Sequence, residues 1–461
     1  MVSLLGEMKH PAVIPPISDD RLAAVFKAYD VRGLSPQEFD EPMARAIGAA
    51  FARYTKATSI VIGRDMRPSG EGLSVAFAEG VTSQGVDVID IGLASTDLLY
   101  FASGHLEIPA VMLTASHNPA SYNGIKFCHA GAKAIGVDTG LTQIRRLATQ
   151  QVSSAGVRGQ TKDVDLLDRF VDHVHSFVDV DALQPLRIVA DTANGMGGHV
   201  VPATFAGLPF QLEIIFEELD GTFPNHPADP IQPENLVDLQ RKVVEVKADV
   251  GLAFDGDADR VFLVDEAANP ISGSLTTALV ALAILEREGP GPILHNLICS
   301  RATVEAIRGA GGDPIRTRVG HSYIKALMAE TGAAFGGEHS GHYYFARNFG
   351  ADSGLIAALI VLERLSTFGG SLSSLLAPLN RYANSGEVNA EVADPSFVIE
   401  KVSAYFAGKP QDRLDGLTVD CGEWWFNLRP SNTEALLRLN VEAPDDQQVA
   451  DHVGEILALF R

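Results

Sequence analysis

The chain has 461 residues, 46% hydrophobic and 20% charged, which excludes global disorder and allows roughly two to four domains at about 150 residues each. Its 36 basic side chains against 58 acidic ones give a net charge of −22, a field that repels nucleic acid and anionic membrane surfaces. Cys128, Cys299 and Cys421 are odd in number and far apart, so neither a disulfide framework nor a zinc site is expected.

The opening residues, with Lys9, Pro11, Pro15 and Pro16 and no sustained apolar run, do not read as a signal peptide. From there one pattern recurs: a short apolar strand, a loop of glycine and polar residues, then an amphipathic helix. Strands are predicted at Ser59–Gly63, Val86–Ile91, Ala110–Leu113, Leu186–Ala190, Val250–Phe254, Ile293–Leu294 and Ala334–Gly336. Helices are predicted at Met43–Tyr54, Leu73–Gln84, Leu166–Val178, Leu236–Val246, Leu275–Glu288, Thr303–Arg308 and Gly354–Ser366. The most apolar of them, around Leu275–Leu285, is short against the ~20 residues a bilayer span needs. A soluble, cytoplasmic protein is expected. Alternating strands and helices predict the α/β class, with mostly parallel sheets covered by helices.

Gln150–Gln160, small and polar, reads as a first linker. Ala267-Ala268-Asn269-Pro270 reads as a turn closing a second unit, and a third break falls around Ala377–Asn384. The last stretch differs: strands at Gly416–Asp420, Trp424–Leu428 and Ala435–Glu442, then a helix at Asp446–Phe460, make a small α+β unit. The expected domains are 1–160, 161–268, 269–380 and 381–461, and no short-period repeat is visible.

Four loops could carry chemistry. Thr114-Ala115-Ser116-His117-Asn118-Pro119 follows a strand, where parallel sheets bind ligands, and Pro119 keeps the loop extended. The plainer reading is a polar loop with Ser116 as a turn residue. None of Ser116, Ser322 and Ser340 sits in the G-x-S-x-G elbow of a hydrolase. Asp255-Gly256-Asp257-Ala258-Asp259-Arg260 places carboxylates at alternate positions; fully extended they stand ~7 Å apart, too far to share one cation at ~2.1 Å. The loop must curl, which Gly256 permits, and a cation is the simplest way to hold three like charges. Oxygen-only ligands suit Mg²⁺. A solvated acidic turn is the alternative; an EF-hand fails because Arg260 replaces its glycine and strands flank it.

Gly336-Gly337-Glu338-His339-Ser340-Gly341-His342 can present donors and acceptors to hydroxyls, or be a glycine-rich turn, or offer its histidines to a metal. Arg429-Pro430-Ser431-Asn432-Thr433, with Arg438 in the next strand, is either a phosphate cradle or an Asx-type turn. No P-loop is present, and Gly195-Met196-Gly197-Gly198 fails the dinucleotide fingerprint.

Together, in this order, the four loops resemble those of the phosphohexomutase family, the phosphomannomutase/phosphoglucomutase group. The resemblance runs from Lys27-Ala28-Tyr29-Asp30-Val31-Arg32-Gly33 to Arg438. It implies three related α/β domains and a smaller C-terminal α+β domain around a central cleft. It implies that Ser116 carries a phosphoryl group, and that Asp255, Asp257 and Asp259, with the phosphorylated Ser116, hold one Mg²⁺ per chain. Arg32, His117, Lys126 and Arg260 match residues around the reacting phosphate, Lys126 or His117 serving as general acid/base. Glu338 and Ser340 match the pair that binds sugar hydroxyls. Arg429, Ser431, Asn432, Thr433 and Arg438 match the distal phosphate site, and Tyr29 and His321 match further substrate contacts. Some members carry a lysine near Leu297-Ile298-Cys299-Ser300-Arg301; Arg301 is the candidate substitute here.

The activity so implied interconverts hexose 1- and 6-phosphates through a hexose 1,6-bisphosphate, which also serves as activator. The partners are small phosphosugars, with no nucleic acid or membrane, and the chain is a monomer or weak dimer. The loop Gly337–His342 and the segment Arg318–Lys325 resemble the phosphomannomutase branch more than the phosphoglucosamine branch, where Gln commonly follows the Glu. Mannose is expected first, then glucose, then glucosamine. A non-catalytic sugar-phosphate binding protein would lack the nucleophile or a metal ligand, yet Ser116 and all three aspartates are present. A Mg²⁺-dependent phosphatase would need water at the phosphoserine.

Overall fold

The structure is a computed structural model that describes residues 13–430 and 436–460, apart from the side chains of His321 and Ser322. Contacts divide the chain into two compact units. One runs to Pro270 and adds Tyr344–Gly369; the other holds Ile271–Tyr343 and the chain from Gly370 onward.

The first unit contains two helix-covered sheets. The larger is ordered Val31–Leu34, Tyr122–His129, Ala110–Leu113, Ser59–Arg64, Asp87–Leu93, Thr161–Asp163. Ala110–Leu113, Ser59–Arg64, Asp87–Leu93 and Thr161–Asp163 are parallel neighbours, whereas Tyr122–His129 runs antiparallel to strands on both sides. Helix Glu41–Thr55 starts where the Asp40 side chain accepts from the Met43 amide, and ends at a left-handed Lys56. Its Met43, Ile47 and Phe51 pack with Phe77, Val81, Ile60, Ile62, Val111, Leu113 and Phe127 in a closed core. The second sheet sets Arg187–Asp191 parallel to Gln211–Ile215 and to Val250–Phe254, with Val261–Asp265 returning antiparallel.

In the second unit, Pro292–Asn296 lies parallel between Asp313–Thr317 and Phe335–Gly337. Helix Gly273–Glu288 is capped by Ser272 and buries most of its length. The C-terminal part is antiparallel: Leu436–Ala443 pairs with Trp425–Pro430 and with Val388–Glu391, and Leu417–Asp420 extends the sheet. Val398, Val402 and Ile456, from helices Pro395–Tyr405 and Asp446–Ala458, close its core.

The α/β class with an α+β end is as expected, and the sheets are mixed rather than mostly parallel. In both sheets of the first unit the strand entering a candidate loop is parallel to its neighbour, and the strand leaving it turns back antiparallel. Tyr122–His129 was not predicted because Asn123 and Gly124 are poor strand formers; ladders on both sides override that preference. Gly124 is required there, since a Cβ would meet the Val31 carbonyl oxygen at 2.1 Å. The segment read as a first linker is bound to the end of helix Gly70–Ser83: Ala155 donates to the Ser83 carbonyl and Gly159 to that of Thr82. The turn at Ala267–Pro270 is built by Asp265, whose Oδ1 accepts from the amides of Ala267 and Asn269. Among the described residues no helix is long and apolar enough to cross a membrane.

Candidate active site

Ser116 sits just beyond strand Ala110–Leu113, 5% exposed, with φ +50°. That left-handed conformation costs a residue with a Cβ roughly 1–2 kcal/mol, so the loop must be held from outside. Arg67 holds it. Its Nη1 donates to the carbonyls of Pro119 (2.8 Å) and Tyr122 (3.0 Å), and its Nη2 to those of Ser116 (2.7 Å) and Asn118 (2.7 Å). Its Nε donates to Asp65 Oδ2 at 3.1 Å, and both side chains are fully buried. Four N–H groups of the guanidinium fork thus gather one loop, and the fifth anchors Arg67 to Asp65.

The loop aims Ser116 Oγ at the carboxylates. It donates to Asp255 Oδ2 at 3.0 Å and lies 3.2 Å from His117 Nδ1. Asp255, Asp257 and Asp259 are buried on the connection between Val250–Phe254 and Val261–Asp265, each with a carboxylate oxygen within 4.8 Å of the others. The loop curls as required, but the left-handed residue is Ala258 (φ +58°). Gly256 serves for room instead: a Cβ there would come within 2.5 Å of the Ser116 carbonyl oxygen.

Two cations answer the three carboxylates. Lys126 Nζ is 2.7 Å from both Asp257 Oδ2 and Asp259 Oδ2. Arg260 Nε donates to Asp255 Oδ2 at 2.9 Å. Burial opposes the ammonium of Lys126, but Asp257 and Asp259 outweigh it and hold its pKa well above the ordinary value. Burial likewise opposes the charge on Asp257, yet Lys126, Thr96 and Arg260 bring it below the usual carboxylate range. Burial pushes Asp255 up to about 7, with Arg260 opposing and the other two aspartates adding. Asp257 is further gripped by the first residue of helix Thr96–Leu106: the Thr96 amide donates to its carbonyl at 3.0 Å, and Thr96 Oγ1 to its Oδ2 at 2.6 Å. Asp257 Oδ1 is buried with no hydrogen-bond partner among the described residues. Buried carboxylates, all-oxygen donors and one unsatisfied oxygen fit a hard divalent cation such as Mg²⁺.

Arg32, on Val31–Leu34, donates to Asn118 Oδ1 in the serine loop and to Asp30 Oδ2 at 2.6 Å. Tyr29 is half-buried two residues before that strand. The structure therefore brings Ser116, His117, Lys126, Arg32, Arg260 and the three aspartates into one constellation within the first unit. Arg67 and Thr96 were not anticipated. Asp65-Met66-Arg67 directly follows the parallel strand Ser59–Arg64, the same topological position that drew attention to Ser116, and that was the available signal.

In the second unit Glu338 follows Phe335–Gly337 and is 2% exposed. It accepts from Ser340 Oγ at 3.1 Å and from the Gly320 amide at 3.2 Å, just before the helix that His321 opens. Among the described residues His339 joins no cluster that could hold a metal; its Nδ1 accepts from Asn296 Nδ2 at 2.8 Å, and burial, with Arg429 adding, pushes its pKa down to about 3. Arg301, the candidate substitute for the lysine that some members carry, lies at the start of helix Arg301–Gly309. It is tied to Asp420 Oδ1 at 2.7 Å and to the Gly422 carbonyl, where it clips its helix to a turn. Arg429 and Arg438 stand directly opposite one another on neighbouring strands; Ser431, Asn432 and Thr433 lie outside the described residues.

Four domain profiles of phosphoglucomutase/phosphomannomutase match the chain: alpha/beta/alpha domain I over residues 23–154, domain II over 168–269, domain III over 272–382 and the C-terminal domain over 387–459. A phosphomannomutase of Salmonella montevideo is 41% identical over 94% of this chain and 98% of its own. A protein of Xanthomonas campestris described as phosphohexose mutases is 40% identical over 95% and 99%. The crystal structure of a phosphoglucomutase/phosphomannomutase family protein from Burkholderia thailandensis superimposes with a TM-score of 0.84 at 32% identity, covering 96% of this chain and 97% of that one. With all four domains matched in order and full-length relatives near 40% identity, this chain belongs to the phosphoglucomutase/phosphomannomutase family.

Proposed function

We propose that this chain is a phosphohexose mutase that interconverts mannose 1-phosphate and mannose 6-phosphate through a phosphorylated Ser116. The observation that carries the reading is a serine hydroxyl held 3.0 Å from one of three buried aspartates, with Lys126 and Arg260 beside them. A solvated acidic turn would not be buried, and a turn serine would not need the Arg67 clasp. Mannose is supported by the relatives named phosphomannomutase and by the Glu338–His339–Ser340 loop.

In the forward half, phosphorylated Ser116 gives its phosphoryl group to the free hydroxyl of a hexose monophosphate. The O–P bond to Ser116 breaks as the bond to the sugar oxygen forms; the sugar hydroxyl gives up its proton and the serine oxygen takes one, leaving a hexose 1,6-bisphosphate and the Ser116 hydroxyl. The bisphosphate then presents its other phosphate, which returns to Ser116, and the isomeric monophosphate leaves. Phosphoryl transfer relies on positioning and electrostatics, which is what this chain supplies: Arg67 orients Ser116, while Arg260 and Arg32 offset charge around the group in transit. Lys126, held as an ammonium by two carboxylates, acts as a fixed positive charge. His117, 3.2 Å from Ser116 Oγ, is the residue placed to take and return a proton. Asp255, Asp257 and Asp259 would hold Mg²⁺, which when bound offsets charge on the transferring phosphoryl group. Glu338 and Ser340 take the sugar hydroxyls, and Arg429 and Arg438 the phosphate that is not reacting.

The test offers mannose 1-phosphate, glucose 1-phosphate and glucosamine 1-phosphate separately, with Mg²⁺ and a trace of hexose 1,6-bisphosphate as activator, and follows products by phosphorus NMR. A 6-phosphate formed fastest from mannose supports the proposal. Faster turnover of glucose or glucosamine overturns the sugar, inorganic phosphate points to a phosphatase, and no change in phosphoserine-bearing protein defeats the mutase reading.

A further inference from the structure

The strands that carry Arg429 and Arg438 also hold an acid that the proposed reaction has not used. Arg429 ends Trp425–Pro430, and Arg438 faces it across the ladder on Leu436–Ala443. The other edge of Leu436–Ala443 pairs with Val388–Glu391, Asn389 opposite Arg438, and Glu387 immediately precedes that strand. One carboxylate serves both cations: Glu387 Oε2 is 2.7 Å from Arg429 Nη2, and Oε1 is 3.3 Å from Arg438 Nη1.

Like charges directly opposite on neighbouring strands repel. Arg429 is only 6% exposed, so water screens little of that repulsion. Glu387 offsets it and, by engaging one arm of the Arg429 fork, fixes where the other arm lies. That other arm, Nη1, is buried and has no hydrogen-bond partner among the described residues. A buried donor left unmade is costly, so the arrangement is built to receive a further acceptor.

We propose that Glu387 is the positioning residue of the distal phosphate site, holding Arg429 and Arg438 as one paired donor set for the phosphate that is not reacting. The proposal rests on reading those two arginines as phosphate ligands.

The test compares Glu387→Ala, the isosteric Glu387→Gln and Arg429→Ala in the full chain. It measures kcat, KM for mannose 1-phosphate, calorimetric affinity for mannose 6-phosphate, and melting temperature. Both Glu387 variants are expected to raise KM and weaken binding about tenfold, the order of one charge-assisted hydrogen bond. Glu387→Ala should lower the melting temperature, because it leaves the buried Arg429 unpaired; Glu387→Gln, which keeps an acceptor, should lower it less, and Glu387→Asp should recover part of the affinity. If Arg429→Ala weakens binding and the Glu387 variants do not, the positioning role is overturned while the phosphate site stands. If Arg429→Ala leaves binding unchanged, the reading of the arginines fails and the proposal with it. Should Glu387→Ala fail to fold, the Gln variant decides: unchanged affinity overturns the proposal.

Discussion

Ser116 is held in a backbone conformation it would not choose, by an arginine that hydrogen-bonds its carbonyl oxygen. This divides two jobs between two side chains. Ser116→Ala removes the proposed nucleophile while leaving the Arg67 clasp on the backbone, so mutase turnover should fall at least ~10³-fold, about 4 kcal/mol of barrier, with the melting temperature nearly unchanged. Measurable full activity in that variant would sink the phosphoserine route. Arg67→Met does the reverse. It strands the buried Asp65 carboxylate and frees four loop carbonyls, and should cost about 3–5 kcal/mol of stability, read as a lower denaturant midpoint. Gly256 and Ala258 teach a related point. The sequence places the flexible residue correctly in the loop, but which residue takes the positive φ depends on what crowds it, and Gly256 is crowded by the Ser116 carbonyl.

At the scale of elements, the serine and aspartate loops lie where a strand with a parallel neighbour meets an antiparallel return. The entering strands were legible, because Ala110–Leu113 and Val250–Phe254 are fully buried and read as unbroken apolar runs. The returning strand Tyr122–His129 and the helix Thr96–Leu106 were not, since neither has a clean period and both are set by their neighbours. A connection between elements also governs a pH response. His226 Nε2 meets Asp191 Oδ2 at 3.0 Å and its Nδ1 meets the Pro227 carbonyl at 2.8 Å. Both partners only accept, so the ring carries both protons. Burial opposes this, but Asp191 outweighs it and raises the His226 pKa above its ordinary 6.5. The stabilisation is complete below about pH 6.5 and is lost as pH rises through the raised value. Between pH 6 and pH 8.5 the denaturant midpoint of the wild type should therefore fall more than that of His226→Gln. Equal slopes in the two proteins would rule out the His226–Asp191 pair as the source of the response.

For the whole molecule, a net charge of −22 means that an anionic substrate is drawn in only where cations are concentrated. The carboxylate triad is the opposite case, a concentration of negative charge that Lys126 and Arg260 only partly answer. Mg²⁺ at about 100 times its Kd should stabilise the protein by about 2.7 kcal/mol, seen as a rise in melting temperature without any substrate. Asp257→Asn should abolish that rise. A thermal shift that survives the substitution would place the cation elsewhere.

The order of the four loops, the α/β class with its α+β end, and the residue types of the proposed phosphate and cation sites were all readable in the chain. They depend on local spacing and on burial patterns that a linear sequence carries. The tertiary structure alone decided how Arg67 gathers four carbonyls, how Thr96 grips Asp257 across 161 positions, and that Arg301 is tied to the turn at Asp420–Gly422. It also decided that Glu387 bridges two arginines 42 and 51 positions away. The reason is physical: a buried charge is specified by the partners that offset it, and those partners are chosen by sheet register and loop closure, not by distance along the chain.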